Sequence, residues 1–172
     1  MLREYDGHKP KAHSTAFISR NTLIVGRVSL AENVSVWPGC VIRADVEDVI
    51  ISSNTNIQDG ALLHPNKNLP VIIGKNVTVG HGAIIHGARI GSNCLIGMGA
   101  IVLDGAVIED NCIIGAGALV TEYMKVGEGS LVLGLPGRVA RKITKDELAA
   151  ICRSAEEYVE LAVKHKSIKE RD

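Results

Sequence analysis

At 172 residues the chain is one domain's worth, long enough to bury a sizeable core. It is 46% hydrophobic but only 3% aromatic, with 18 glycines, so that core must be built from Val, Ile, Leu and Ala. Its 19 basic residues balance 19 acidic ones, which argues against a nucleic-acid or anionic-membrane surface, and no apolar stretch reaches the roughly 18 residues of a membrane span.

Residues 1–20 read as a lead-in segment that caps the open end of a repeat array, with a short apolar patch at Ala16-Phe17-Ile18. Met1-Leu-Arg-Glu-Tyr-Asp6 lacks the apolar core of a signal peptide, so a cytoplasmic location is expected. His8 and His13 read as solvated loop residues.

A six-residue beat begins at Ile24 and continues through Leu30, Val36 and Ile42, then Ile51, Ile57 and Leu63. It resumes at Ile73, Val79 and Ile85, and again from Ile90 through Ile96, Val102, Ile108 and Ile114 to Val120. A second place in many units is small, as at Cys40, Ala61, Ala83, Cys94, Ala100, Ala106, Cys112 and Ala118. Glycine recurs beside these positions. This period predicts a mainly β fold, a single-stranded parallel β-helix whose unit is one short strand plus a turn. An amphipathic helix needs a period of about 3.6 residues and far less glycine, so it is excluded.

The beat breaks three times. The steps are nine residues from Ile42 to Ile51, ten from Leu63 to Ile73 and five from Ile85 to Ile90. Each break begins one residue before Arg43, His64 or His86, and irregularity beside ionisable groups points to a site. Three units make one coil of a triangular prism, so Ile42, Leu63 and Ile85 stack, and Arg43, His64 and His86 share one face. His64 and His86 should then stand about 5 Å apart, the spacing of neighbouring strands. His81 follows Val79, whose column contains Ile57, and therefore stacks on Asp59 on a neighbouring face.

His64, His81 and His86 fall in H-x16-H-x4-H spacing. Neutral imidazole is a common zinc ligand, and three histidines plus water make an open site of the catalytic kind. One prism cannot readily turn two faces onto one ion, whereas prisms packed around a threefold axis can. The columns thus point to a site between subunits, with His64 and His86 from one chain and His81 from the next. Gln58 and Asp59 fall on the His81 side, Arg43 and Asp45 on the other, where Arg43 is expected to pair with Asp59 or Asp45 across the interface. The alternative is a trimer joined by ordinary polar contacts without metal.

Residues 121–143 are expected to end the repeat. Thr144-Lys-Asp-Glu147 is a capping box opening a helix to about His165. Leu148, Ile151, Cys152, Ala155, Tyr158, Val159 and Ala162 form its apolar stripe, which predicts antiparallel packing along the prism. Tyr158 reads either as part of that stripe or as a hydroxyl reaching the site. The chain is thus a single domain over 1–172: a capping segment 1–20, the β-helix and its closing segment 21–143, a helix 144–166 and a tail 167–172. Cys40, Cys94, Cys112 and Cys152 form no C-x-x-C pair, and read as free thiols, three of them at the small repeat place.

Trp37-Pro-Gly-Cys-Val-Ile-Arg43-Ala-Asp45, Asn56-Ile-Gln58-Asp59, His64 and His81-x4-His86, within a hexapeptide repeat, resemble the γ-class carbonic anhydrases and their short relatives. That group also includes ferripyochelin-binding and acyltransferase-like proteins. The similarity runs from Lys9-Pro10 to the final helix. It implies a left-handed β-helix, a hand that the period alone does not set and that opposes the usual crossover preference. It implies a homotrimer in which His64, His81 and His86 hold Zn2+, or Fe2+ or Co2+. It also implies reversible hydration of CO2 to bicarbonate by a metal-bound hydroxide, with Gln58 orienting that nucleophile and Asp59 supporting it. Arg43 and Asp45 correspond to the pair that builds the interface and binds bicarbonate, and Tyr158 to a helix tyrosine near the site.

The chain departs from the best-known γ enzymes in two places. Val46 stands where they carry a second acidic residue, and the loop Pro65-Asn-Lys-Asn-Leu-Pro70 has no carboxylate to shuttle protons. A slow hydratase is therefore expected, with Glu47 and Asp48 the acidic residues left nearby. Two other readings stand beside it. One is thioester hydrolysis or acyl transfer on the same scaffold, for which Leu135-Pro136-Gly137-Arg138 is the matching segment. The other is a non-catalytic trimeric binding module that keeps the metal as structure.

Overall fold

Ile42, Leu63 and Ile85 stand directly above one another inside the molecule, each completely buried and each paired to the next across parallel strands. The computed structural model describes residues 1–167, and the same stacking holds along all three faces of a parallel β-helix of about seven turns. Ile57 pairs with Val79 on the second face, and Ile73 with Ile90 on the third. Every aliphatic residue of the beat is buried, as is every small residue at the second place. Each full burial of a Val, Ile or Leu side chain stabilises by about 1.5–3 kcal/mol, so the columns dominate the energetics.

Strand Val41–Ile51 turns a corner. Its first residues pair with Leu62–His64 and its last with Val71–Ile73, which joins two faces into one 12-stranded sheet. The nine-residue step after Ile42 is therefore continuous strand, with Ala44 and Val49 buried inside it. The remaining face, which carries Ile57 and Val79, is an 8-stranded sheet.

Both ends of the array differ from expectation. Residues 1–20 contain the strands Leu2–Arg3, Lys11–Ala12 and Phe17–Ile18, each parallel to the strand of the next coil, so the capping segment is itself an irregular first turn. At the other end the beat outlasts Val120. Val126 and Val132 are fully buried in strands Lys125–Val126 and Ser130–Leu133, and the antiparallel strand Arg138–Lys142 then closes the sheet. Met124 and Ser130 occupy the small place there, which hid the repeat.

One corner is lined by Asn33, Asn54, Asn76, Asn93 and Asn111, all with left-handed backbone, which asparagine tolerates better than other side chains. Their amides form a ladder from coil to coil at 3.0–3.2 Å.

Helix α1 spans Lys145–Lys166, with Thr144 as N-cap and both halves of the capping box made by Glu147. It lies across strands of the 8-stranded sheet and runs back toward the N-terminal coil. Ser154 sits beside Thr78, Tyr158 beside Trp37, and His165 beside Phe17 and Trp37. All four cysteines are free, and Cys40, Cys94 and Cys112 are buried. No helix among the described residues is long and apolar enough to cross a membrane. Residues 168–172 of the expected tail lie outside the described residues.

Candidate metal centre

His64 and His86 end two neighbouring strands, Leu62–His64 and Ile84–His86, and are register partners. The pleat that sends Leu63 and Ile85 inward sends both histidines outward. Their ring centroids are 5.0 Å apart, and Nδ1 of His64 faces Nε2 of His86 at 3.0 Å.

The outer nitrogen of each ring meets a carboxylate. His64 Nε2 lies 3.1 Å from Asp45 Oδ1, and His86 Nδ1 lies 2.6 Å from Asp104 Oδ1. Burial pushes both carboxyls upward, but hydrogen bonds hold them below their usual range: from Arg43 and His64 on Asp45, from Asn66 and His86 on Asp104. An ionised carboxylate only accepts, so each outer nitrogen carries the ring proton. The two inner nitrogens are then both lone pairs, pointed at each other.

That arrangement repels unless a cation sits between the rings. Two nitrogens 3.0 Å apart can both lie at the roughly 2.0–2.1 Å zinc–nitrogen distance from a common point. A bridging proton is disfavoured at His64. Burial pushes its pKa below the usual value; the Asp45 hydrogen bond opposes this, and the Arg43 charge adds to it. The donor set therefore fits a metal ion.

The other expected residues divide as the columns require. The Arg43 guanidinium bonds Asp45 of its own chain, so the expected pairing is made without a second subunit. His81 sits in the turn before strand Ile84–His86, at the opposite end of that face from His86. Its Nδ1 is 3.0 Å from Asp59 Oδ2, and its side chain is 47% exposed. Among the described residues, no three His, Cys, Asp or Glu side chains of one chain gather to hold an ion. Gln58 is buried beside Asp59, its Nε2 donating to Asn56 Oδ1 at 3.1 Å, while Asn56 donates to Thr78.

Tyr158 belongs to the helix stripe, its ring edge-on to Trp37 at 5.5 Å. Burial raises the phenol's pKa, and the Asp59 charge raises it further. Asp104 and Asn66 were missed from sequence. The register of Val102 on Ile85 puts Asp104 one coil beyond His86, but acidic residues such as Asp110 occupy similar turns, so the signal was ambiguous.

The repeat and its stacked coils define a hexapeptide-repeat protein, and the bacterial transferase hexapeptide family (six repeats) matches residues 87–122. A probable carbonic anhydrase of Methanocaldococcus jannaschii is 50% identical over 84% of this chain and 91% of its own. The mitochondrial gamma carbonic anhydrase 2 of Arabidopsis thaliana is 38% identical over 92% of this chain and 59% of its own. Among solved structures, a putative acetyltransferase of Bacillus cereus is 39% identical and superposes with a TM-score of 0.96 over 98% of both chains. The chain belongs to the γ-class carbonic anhydrase-like family.

Proposed function

We propose that this protein is a metal-dependent hydratase of CO2 that works as a homotrimer. The observation that carries the reading is the 3.0 Å approach of His64 Nδ1 to His86 Nε2, each ring held by a carboxylate on its far side. His81 of a neighbouring subunit is the third ligand, through the Nε2 left free by Asp59. The outward residues beside the pair support such a neighbour: Leu62 is 38% exposed and Ile84 36%, register partners on the same strands as the two histidines.

Zinc bound there, or iron or cobalt, supplies the Lewis acidity that makes water a nucleophile near neutral pH. The protein's own groups do the rest. Arg43, about half exposed and fixed by Asp45, offsets negative charge on bicarbonate. Gln58 and Asp59 orient the attacking water from the His81 side. No carboxylate stands in the loop 65–70, so protons leave through buffer or along Tyr158, and turnover is slow.

The test is stopped-flow CO2 hydration on protein loaded with zinc or cobalt, with His64→Ala as control. Activity above buffer that vanishes in the control supports the reading, and silence with metal fully bound overturns it. Acyl transfer or thioester hydrolysis would then lead, favoured by the name of the Bacillus cereus neighbour and by Leu135, 73% exposed in the segment before Arg138.

A further inference from the structure

We infer that Asp104, clamped by Asn66, is the positioning residue that decides which nitrogen of His86 faces the metal. The inference rests on the metal reading above. An imidazole can carry its proton on either nitrogen, and only the Nδ1–H form of His86 leaves Nε2 free as a ligand. Asp104 Oδ1, 2.6 Å from His86 Nδ1, selects that form. The second carboxylate oxygen accepts from Asn66 Nδ2 at 2.7 Å, so Asp104 is held at both ends.

The surroundings are built for this contact. Gly87, at φ +52°, directly follows His86, and a Cβ there would lie 2.3 Å from Asp104 Oδ1. The Asp104 carbonyl accepts from the Tyr123 amide at 2.8 Å, and Gly105 donates to the Gly87 carbonyl at 2.8 Å. Asp104 is thus fixed by backbone contacts to the coils on both sides. Asn66 lies in the short loop that links His64 to the next face, so the clamp ties that loop to the ligand.

The polarity of the line is consistent with the role. Arg43 donates to Asp45, which accepts from His64; Asn66 donates to Asp104, which accepts from His86. Donors and acceptors alternate everywhere except between the two rings. Removing Asp104 lets the His86 ring place its proton there, where Nε2–H donates to His64 Nδ1 and blocks the ligand position.

The experiment reads imidazole tautomers by nitrogen-15 NMR on the metal-free full chain, and zinc affinity by competition with a chromophoric chelator. Asp104→Ala should convert His86 from the Nδ1–H form to a mixture and weaken zinc by about 10–100-fold, the usual effect of losing such a partner. The swap Asn66→Asp with Asp104→Asn keeps an acceptor on His86 and the total charge; it should restore the tautomer and most of the affinity. Unchanged tautomer and zinc affinity within about twofold in Asp104→Ala would overturn the inference, as would a swap no better than Asp104→Ala. His86→Ala separates the two levels: if that variant binds zinc as the wild type does, the metal reading itself fails.

Discussion

His81 Nδ1 and Asp59 Oδ2 stand 3.0 Å apart on stacked turns, so the carboxylate that fixes the His81 ring belongs to the coil below it. The contact is on the surface, well away from the aliphatic columns. His81→Ala should therefore leave the far-UV circular dichroism and melting temperature close to wild type. In the proposed trimer it should also empty every metal site, because each site takes one His81. Metal analysis of the purified variant checks this, and full retention of metal would defeat the shared-site arrangement.

The close stacking of coils makes some glycines costly to change. A Cβ on Gly97 would lie 2.5 Å from the Ala116 amide nitrogen and 2.7 Å from the Gly115 carbonyl carbon, backbone atoms that cannot rotate aside. Gly97→Ala should destabilise by about 1–3 kcal/mol, lowering the melting temperature by roughly 2–12 °C. Gly127 has nothing within 4 Å of the same position and lacks a positive φ. Gly127→Ala should be neutral or stabilising by about 0.4–1 kcal/mol, through the unfolded chain. Calorimetry on the two variants distinguishes steric from entropic use of glycine.

The start of helix α1 carries a pH dependence of definite sign. The Arg141 guanidinium grips Glu147 through two hydrogen bonds of 2.7 and 2.8 Å, and with the Thr144 amide it lowers that carboxyl from 4.5 to about 2. A carboxyl lowered by folding contributes stability that is fully present above its unfolded value and is lost as pH falls through its folded one. The melting temperature of the wild type should thus exceed that of Glu147→Gln by a constant margin above pH 4.5, and the margin should close as pH falls to about 2. A margin independent of pH would show that the cap works by shape alone.

Inward columns were legible because burial demands an aliphatic residue at fixed spacing, and Ile42, Leu63 and Ile85 advertise it. The stacking of His86 on His64 and of His81 on Asp59 followed from the same register. The asparagine ladder from Asn33 to Asn111 was not legible: glycine marks a turn by its freedom, whereas asparagine marks the same turn only by tolerating left-handed backbone. The first and last coils were obscured for a related reason. Phe17 and Ile18, or Met124 and Ser130, keep the pairing without keeping the residue types. Asp104 escaped because its meaning depends on the direction of one side chain across a turn, and a six-residue period carries no information about that. The hand of the coil is likewise outside what the period encodes, and comes from the family.

Tyr158 has a ring and a hydroxyl whose proposed roles substitution can separate. Its ring packs edge-on against Trp37 at 5.5 Å and 85°, while its hydroxyl feels the charge of Asp59. Tyr158→Phe keeps the ring and removes the hydroxyl. Because the ring carries the packing, the melting temperature should move by less than about 2–4 °C, the equivalent of 1 kcal/mol, and metal content should not change. If the hydroxyl hydrogen-bonds within the site, its loss should lower CO2 hydration by about 3–10-fold, the worth of one such bond. Tyr158→Ala should lower both stability and rate, since it also strips Trp37 of one of its ring partners. A Phe variant with full activity would confine Tyr158 to holding the helix against the prism, and would leave buffer as the only route for the proton.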